Sequence, residues 1–143
     1  MQQGMQFQKV KMKIRTSALL LTACLLAICF TVSAQEDDAL LDELFWEGET
    51  IFTTSCVACH DADGGSSSAP ALSGLPSMGA RDHIVRQILY GNAERGMPPF
   101  APTLDDRQVA AVATYIRNAW DNAHGIVTTE DVAKVRDAGP EGR

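Results

Sequence analysis

An all-α domain of four or five short helices is what this sequence predicts, on two observations. Apolar residues recur at intervals of three and four in three separate stretches, the pattern of an amphipathic helix. Between them stand segments rich in Gly, Pro and Ser, with residue types that start and stop helices at the joins.

The first stretch begins near Asp38 and carries Leu41, Leu44, Phe45, Gly48, Ile51 and Phe52. Asp37 and Asp38 favour the positive end of its dipole. Gly48 costs roughly 1 kcal/mol against Ala inside a helix, so its presence predicts close approach of a second helix there. The next helix runs from Ala80 to Tyr90, with Ile84 and Ile88 inward, Val85 and Leu89 beside them, and Gly91 as its stop. His83, next to Asp82, reads as a surface residue. Asp105 with Gln108 three positions on is a capping box, and Val109, Val112, Ala113, Ile116 and Trp120 form the stripe behind it, with Tyr115 on its flank. Its simplest partner is the Gly48 and Phe52 face. Gly125 breaks the pattern, Thr128 to Asp131 starts a final helix through Arg136, and Asp137 onward reads as frayed.

Two stretches carry chemistry. Cys56-Val57-Ala58-Cys59-His60 is C-x-x-C-H, a haem c attachment signature. Thiols within about one turn of chain suit the two vinyl groups along one porphyrin edge, and His60 then falls over the iron as proximal ligand. A zinc site would need two more ligands at similar spacing, and only the isolated His83 and His124 follow. A thioredoxin-like pair would sit after a buried strand, and nothing upstream reads as one. Asp61 to Ser68 is a loop by composition. Its glycines lack the Lys-Ser/Thr of a phosphate loop. Pro70 ends it and leaves its segment free to offer a carbonyl to the outer nitrogen of a ligand histidine.

The second stretch is Gly96-Met97-Pro98-Pro99-Phe100. Proline pushes Met97 into extended geometry, Gly96 lets backbone come close to a bulky neighbour, and a thioether on so stiff a loop is a good sixth ligand for haem iron. The competing reading, a core gap-filler, fits poorly because Met97 lies in no apolar stripe. Met78, 18 positions beyond His60, reads as packing.

The chain has 143 residues, one domain's worth. Residues 1–34 have the form of a secretory signal: Lys9, Lys11, Lys13 and Arg15, then Ser17 to Phe30, then the small residues Val32-Ser33-Ala34. Translation from Met12 would also give a signal of ordinary length. Leu21-Thr22-Ala23-Cys24 resembles a lipoprotein cleavage box, and an uncleaved anchor would place Ser17 to Ala34 in a bilayer. Cleavage after Ala34 leaves 35–143 as the working domain and removes Cys24 and Cys29, so the remaining cysteines are those of the motif. Eight basic residues then stand against all 18 acids, a net charge of −10. That argues against nucleic acid and anionic membrane surfaces as partners and favours a basic protein surface.

With the haem motif and the Met loop both in hand, the chain resembles a class I c-type cytochrome, the small bacterial monohaem kind, from about Glu43 to Arg136. Tyr115-Ile116-Arg117-Asn118-Ala119-Trp120 and Asp131 to Arg136 are similar to cytochrome domains that accompany periplasmic dehydrogenases, oxidases and nitrite reductases. Asp121 stands where many of those have Gly. The resemblance implies a cytochrome c-like fold around one covalent haem c, with Cys56 and Cys59 as attachment points and His60 and Met97 as iron ligands. It implies a periplasmic single-electron carrier working between redox proteins, and no enzyme. The alternative is a haem enzyme or gas sensor with a labile sixth ligand.

Overall fold

The computed structural model describes residues 36–65 and 68–141. The expected signal, with Met12, Cys24 and Cys29, lies outside them. The chain divides into units 1–39 and 40–143, and of the first only the helical turn 36–39 is described. Among the described residues five α-helices follow one another: α1 over 36–55, α2 Val57–His60, α3 Arg81–Tyr90, α4 Asp106–Asn118 and α5 Thr129–Ala138. Two 3-10 turns, Pro76–Gly79 and Ala93–Arg95, add to them. Among the described residues there is no strand, only the isolated bridge Asn92 to Met97. The all-α expectation holds.

α4 is the centre of the domain. It starts where expected, with the Asp105 carboxylate accepting from the Gln108 N–H and the Gln108 side chain accepting from the Asp105 N–H. Its burial differs from a one-sided stripe, because every residue from Val109 to Arg117 is buried. The reason is its small residues. Ala110, Ala111 and Ala113 are all buried, α3 and α5 pack on α4 and on each other, and α1 crosses it at Gly48. A Cβ on Gly48 would lie 2.1 Å from the Ala111 carbonyl oxygen and 2.8 Å from Tyr115 Cβ, so close approach is what this glycine provides. Phe45 and Phe52 of α1 then meet Tyr115, with ring centroids 5.0 and 5.3 Å apart.

Two boundaries depart from the sequence reading. α4 ends at Asn118, and Trp120 lies beyond it with a left-handed φ of 57°. α5 runs two residues past Arg136 to Ala138, capped by a box of Thr128 and Asp131. Its end is not frayed because α3 holds it: the Tyr90 hydroxyl donates to the Arg136 carbonyl at 2.9 Å, and Arg86 donates to the Gly139 carbonyl. The Arg136 side chain is fixed in turn by Asp106 at 2.7 Å and by the carbonyls of Ala101 and Leu104. No helix among the described residues is long and apolar enough to cross a membrane.

Candidate functional site

The motif is one turn of helix. α1 runs to residue 55, Cys56 caps α2, and the His60 N–H donates to the Cys56 carbonyl at 3.0 Å, so both thiols and the imidazole are carried by a single turn. Cys56 is half-buried and Cys59 exposed. Burial, with Cys59 nearby, pushes the Cys56 thiol up to about 11. His60 is half-buried, and its Nδ1 is the buried side-chain nitrogen left without a hydrogen-bond partner among the described residues. The contact expected from the Pro70 segment is therefore not made. Leaving such an atom unpaired costs about 1–3 kcal/mol.

The loop after His60 is held from the far end of the chain. Trp120 Nε1 donates to the Ala62 carbonyl at 3.0 Å. Gly64, at a φ of 67°, lies against the indole so closely that a Cβ would stand 2.8 Å from it. The Gly64 carbonyl accepts from the Leu72 N–H at 2.7 Å and closes the loop. Asn122, buried, clamps the next stretch: its amide donates to the Leu72 and Ile116 carbonyls, both at 2.8 Å, and its oxygen accepts from the Gly74 N–H.

Arg117 performs a similar task. Only 4% exposed, it donates to the carbonyls of Met78 at 2.7 Å, Gly79 at 3.1 Å, Gly125 at 3.4 Å and His124. Burial, with Arg81 nearby, lowers its pKa, and Asp131 offsets part of this. The roles of Trp120, Asn122 and Arg117 were not read from the sequence. The available signal was an Arg and two Asn set in an apolar stripe and its C-terminal edge.

Met97 stands on the other loop. Its N–H and carbonyl pair with the carbonyl and N–H of Asn92 at 3.0 and 2.9 Å, and Phe100 and Ala101 donate back to Ile88 and Leu89 of α3. The close approach assigned to Gly96 occurs instead at Gly91, where a Cβ would lie 2.4 Å from the Met97 carbonyl oxygen. Around Gly96 the space is open, and its φ of 78° is what requires glycine there. Met97 is half-buried and outside the core cluster, whereas Met78 is 5% exposed and inside it, as expected of packing. The structure thus gathers Cys56, Cys59 and His60 in one turn and carries Met97 separately, with no hydrogen bond joining it to His60. His83 is exposed, as expected.

Two thiols suit covalent attachment of haem, and an imidazole and a thioether suit its iron. Among the described residues no three His, Cys, Asp or Glu side chains gather as a zinc site would need.

Residues 44–116 match the family described as cytochrome c oxidase, cbb3-type, subunit III, and the chain belongs to that family of class I c-type cytochrome domains. It is accordingly an electron carrier with covalently bound haem c. It is 34% identical to the gluconate 2-dehydrogenase cytochrome c subunit of Pantoea cypripedii, over 74% of this chain and 28% of that one. With the cytochrome c subunit of the quinone alcohol dehydrogenase of Gluconacetobacter polyoxogenes it shares 32% identity, over 64% of this chain and 23% of that one. Cytochrome c6 of Tetradesmus obliquus is 32% identical over 54% of this chain and 90% of its own. The chain spans about a quarter of the length of the dehydrogenase subunits it matches.

Proposed function

We propose that Cys56 and Cys59 hold the haem as thioethers, that His60 and Met97 are the axial ligands of its iron, and that the domain moves single electrons in the periplasm between a donor such as a dehydrogenase and an oxidase or reductase. The observation that carries this reading is the C-x-x-C-H turn, which sets two thiols and the His60 imidazole on one turn of helix. When bound, the haem supplies an iron that gains and loses one electron. The rest is the work of the chain. α2 presents both thiols and the imidazole together, Trp120 and Asn122 fix the loop that follows them, and the Asn92 bridge with Pro98 and Pro99 stiffens the loop that brings Met97.

With His60 and Met97 both holding the iron, the domain would act as a carrier and not a catalyst. The names of its relatives, cytochrome subunits of dehydrogenases, support a protein donor or acceptor. Residues 1–34 serve as the export signal in this reading, and 35–143 are the working domain. Its partner presents a basic surface to the acids of α1. Carbon monoxide tests the ligation: the ferrous protein should titrate in one reversible one-electron step and show no spectral shift with the gas. A stoichiometric adduct at ambient pressure would move the assignment to a sensor or enzyme with a labile sixth ligand.

A further inference from the structure

We propose that Trp46 is the anchor by which this carrier seats on its redox partner, its indole entering an apolar pocket rimmed by Lys or Arg on that protein. The proposal rests on the carrier reading above and names the residue that docks. Trp46 is 66% exposed, against 36% for Leu40 and Leu75, the other exposed large hydrophobics among the described residues. Its neighbours on α1 turn inward: Phe45 packs on Tyr115, and Phe52 is buried. Trp46 only meets Phe45 edge-on, centroids 6.1 Å apart at 89°, and lies outside the core cluster. Its burial therefore does little for the fold.

Beside the indole runs a groove of about 330 Å³ lined by Leu41, Asp42, Phe45, Trp46 and Asn118. Charge decides what covers it. Residues 36–55 hold seven acids and no Lys or Arg. Glu43 and Glu47 are engaged by Arg107 of α4 at 2.8 and 2.9 Å, but Asp42 and Glu49, four before and three after Trp46 and so on its face, have no ion-pair partner among the described residues. A second copy of this chain would bring like charges together, and so would an anionic lipid surface. A basic-rimmed protein pocket matches both the indole and its flanking carboxylates.

Electron-transfer encounters bury little area, and Trp is enriched among the few side chains that dominate binding, so one anchor can decide affinity. The groove also stands at the outer end of a series of ring contacts. Phe45 meets Tyr115, Tyr115 meets Trp120 at 5.7 Å, and Trp120 bonds Ala62, two residues beyond His60.

The test uses the full-length holoprotein and respiratory membranes from the source organism, following haem oxidation and reduction against cytochrome concentration. For Trp46→Ala the half-saturating concentration should rise about tenfold with the maximal rate within twofold, and Trp46→Phe should fall between. The visible spectrum and reduction potential should match the wild type, and the ratio between variants should persist at high salt. Wild-type turnover with Trp46→Ala indistinguishable from it overturns the anchor and leaves the carrier standing. Wild-type protein that the membranes neither oxidise nor reduce overturns both.

Discussion

Gly48 of α1 and Ala111 of α4 meet backbone to backbone, 2.1 Å separating the Ala111 carbonyl oxygen from any Cβ that position 48 could carry. The neighbour is main chain inside a buried helix, so it cannot swing aside as a side-chain tip would. Gly48→Ala should therefore destabilise the holoprotein by about 2–3 kcal/mol, the upper part of the range for overpacking, although Ala is the better helix former by about 1 kcal/mol. Urea unfolding followed by circular dichroism checks it, and an unchanged or raised midpoint would mean that α1 does not cross α4 here.

Arg117 should prove more costly to remove than its surface-type chemistry implies. Arg117→Leu leaves the buried Met78 carbonyl, and the part-buried carbonyls of Gly79 and His124, short of a donor. At about 1–3 kcal/mol for a buried group left unsatisfied, and less for the two that water can reach, a loss of about 2–3 kcal/mol is expected. Arg117→Lys should recover only part of it, because an ammonium lacks the fork that reaches separate carbonyls. Thermal melts of both variants decide between this and a simple packing role.

The start of α5 gives a pH dependence with a definite sign. Burial pushes the Asp131 carboxyl up, but the Thr128 backbone N–H and the Arg81 guanidinium at 2.5 Å outweigh it and hold the pKa below its usual value. Folding thus gains stability that is fully present above the ordinary Asp value of about 3.9 and is lost as pH falls through the lower folded value. Arg81 is 44% exposed at its side chain, so solvent screens the pair. Asp131→Asn should cost about 1 kcal/mol or less at pH 7, with the gap to wild type closing below about pH 4. A gap of constant size in acid would assign the effect to shape and not charge.

Steering follows from the acids of α1. If Asp42, Glu43, Glu47 and Glu49 draw in a basic partner, the second-order rate with that partner should fall steeply as ionic strength rises, since attraction is screened over about 8 Å at physiological salt. A flat or rising rate would remove these acids from docking.

Much of this molecule is legible in its sequence because helix periodicity and caps are local. Asp105 with Gln108, Thr128 ahead of α5, and the stripes of α1, α3 and α4 all depend on residues within a turn or two of each other, and the motif turn does too. Gly48 could be read because a helix interior penalises glycine. What escaped is long-range. Arg117 looks like one more polar residue on a helix until the carbonyls of residues 78, 79, 124 and 125 converge on it. Trp120 fits the stripe of α4, yet it leaves the helix to hold Ala62, 58 positions away. Burial of α4 on all sides depends equally on three neighbours that periodicity within one helix does not reveal. Gly91 stops α3 as read, but the close approach assigned to Gly96 also falls to it, because positive φ and close approach both ask for glycine and only coordinates separate them.

The claim on which the rest depends is that Met97, and not Met78, completes the iron site with His60. The far-red sulfur-to-iron absorption band of the oxidised holoprotein tests it most directly, measured in the wild type, Met97→Ala and Met78→Ala. The band should be present in the wild type, absent in Met97→Ala with His60 still bound and a lowered reduction potential, and retained in Met78→Ala, which should lose only stability, about 2–5 kcal/mol for a buried Met. A band that survives in Met97→Ala and vanishes in Met78→Ala would contradict the account.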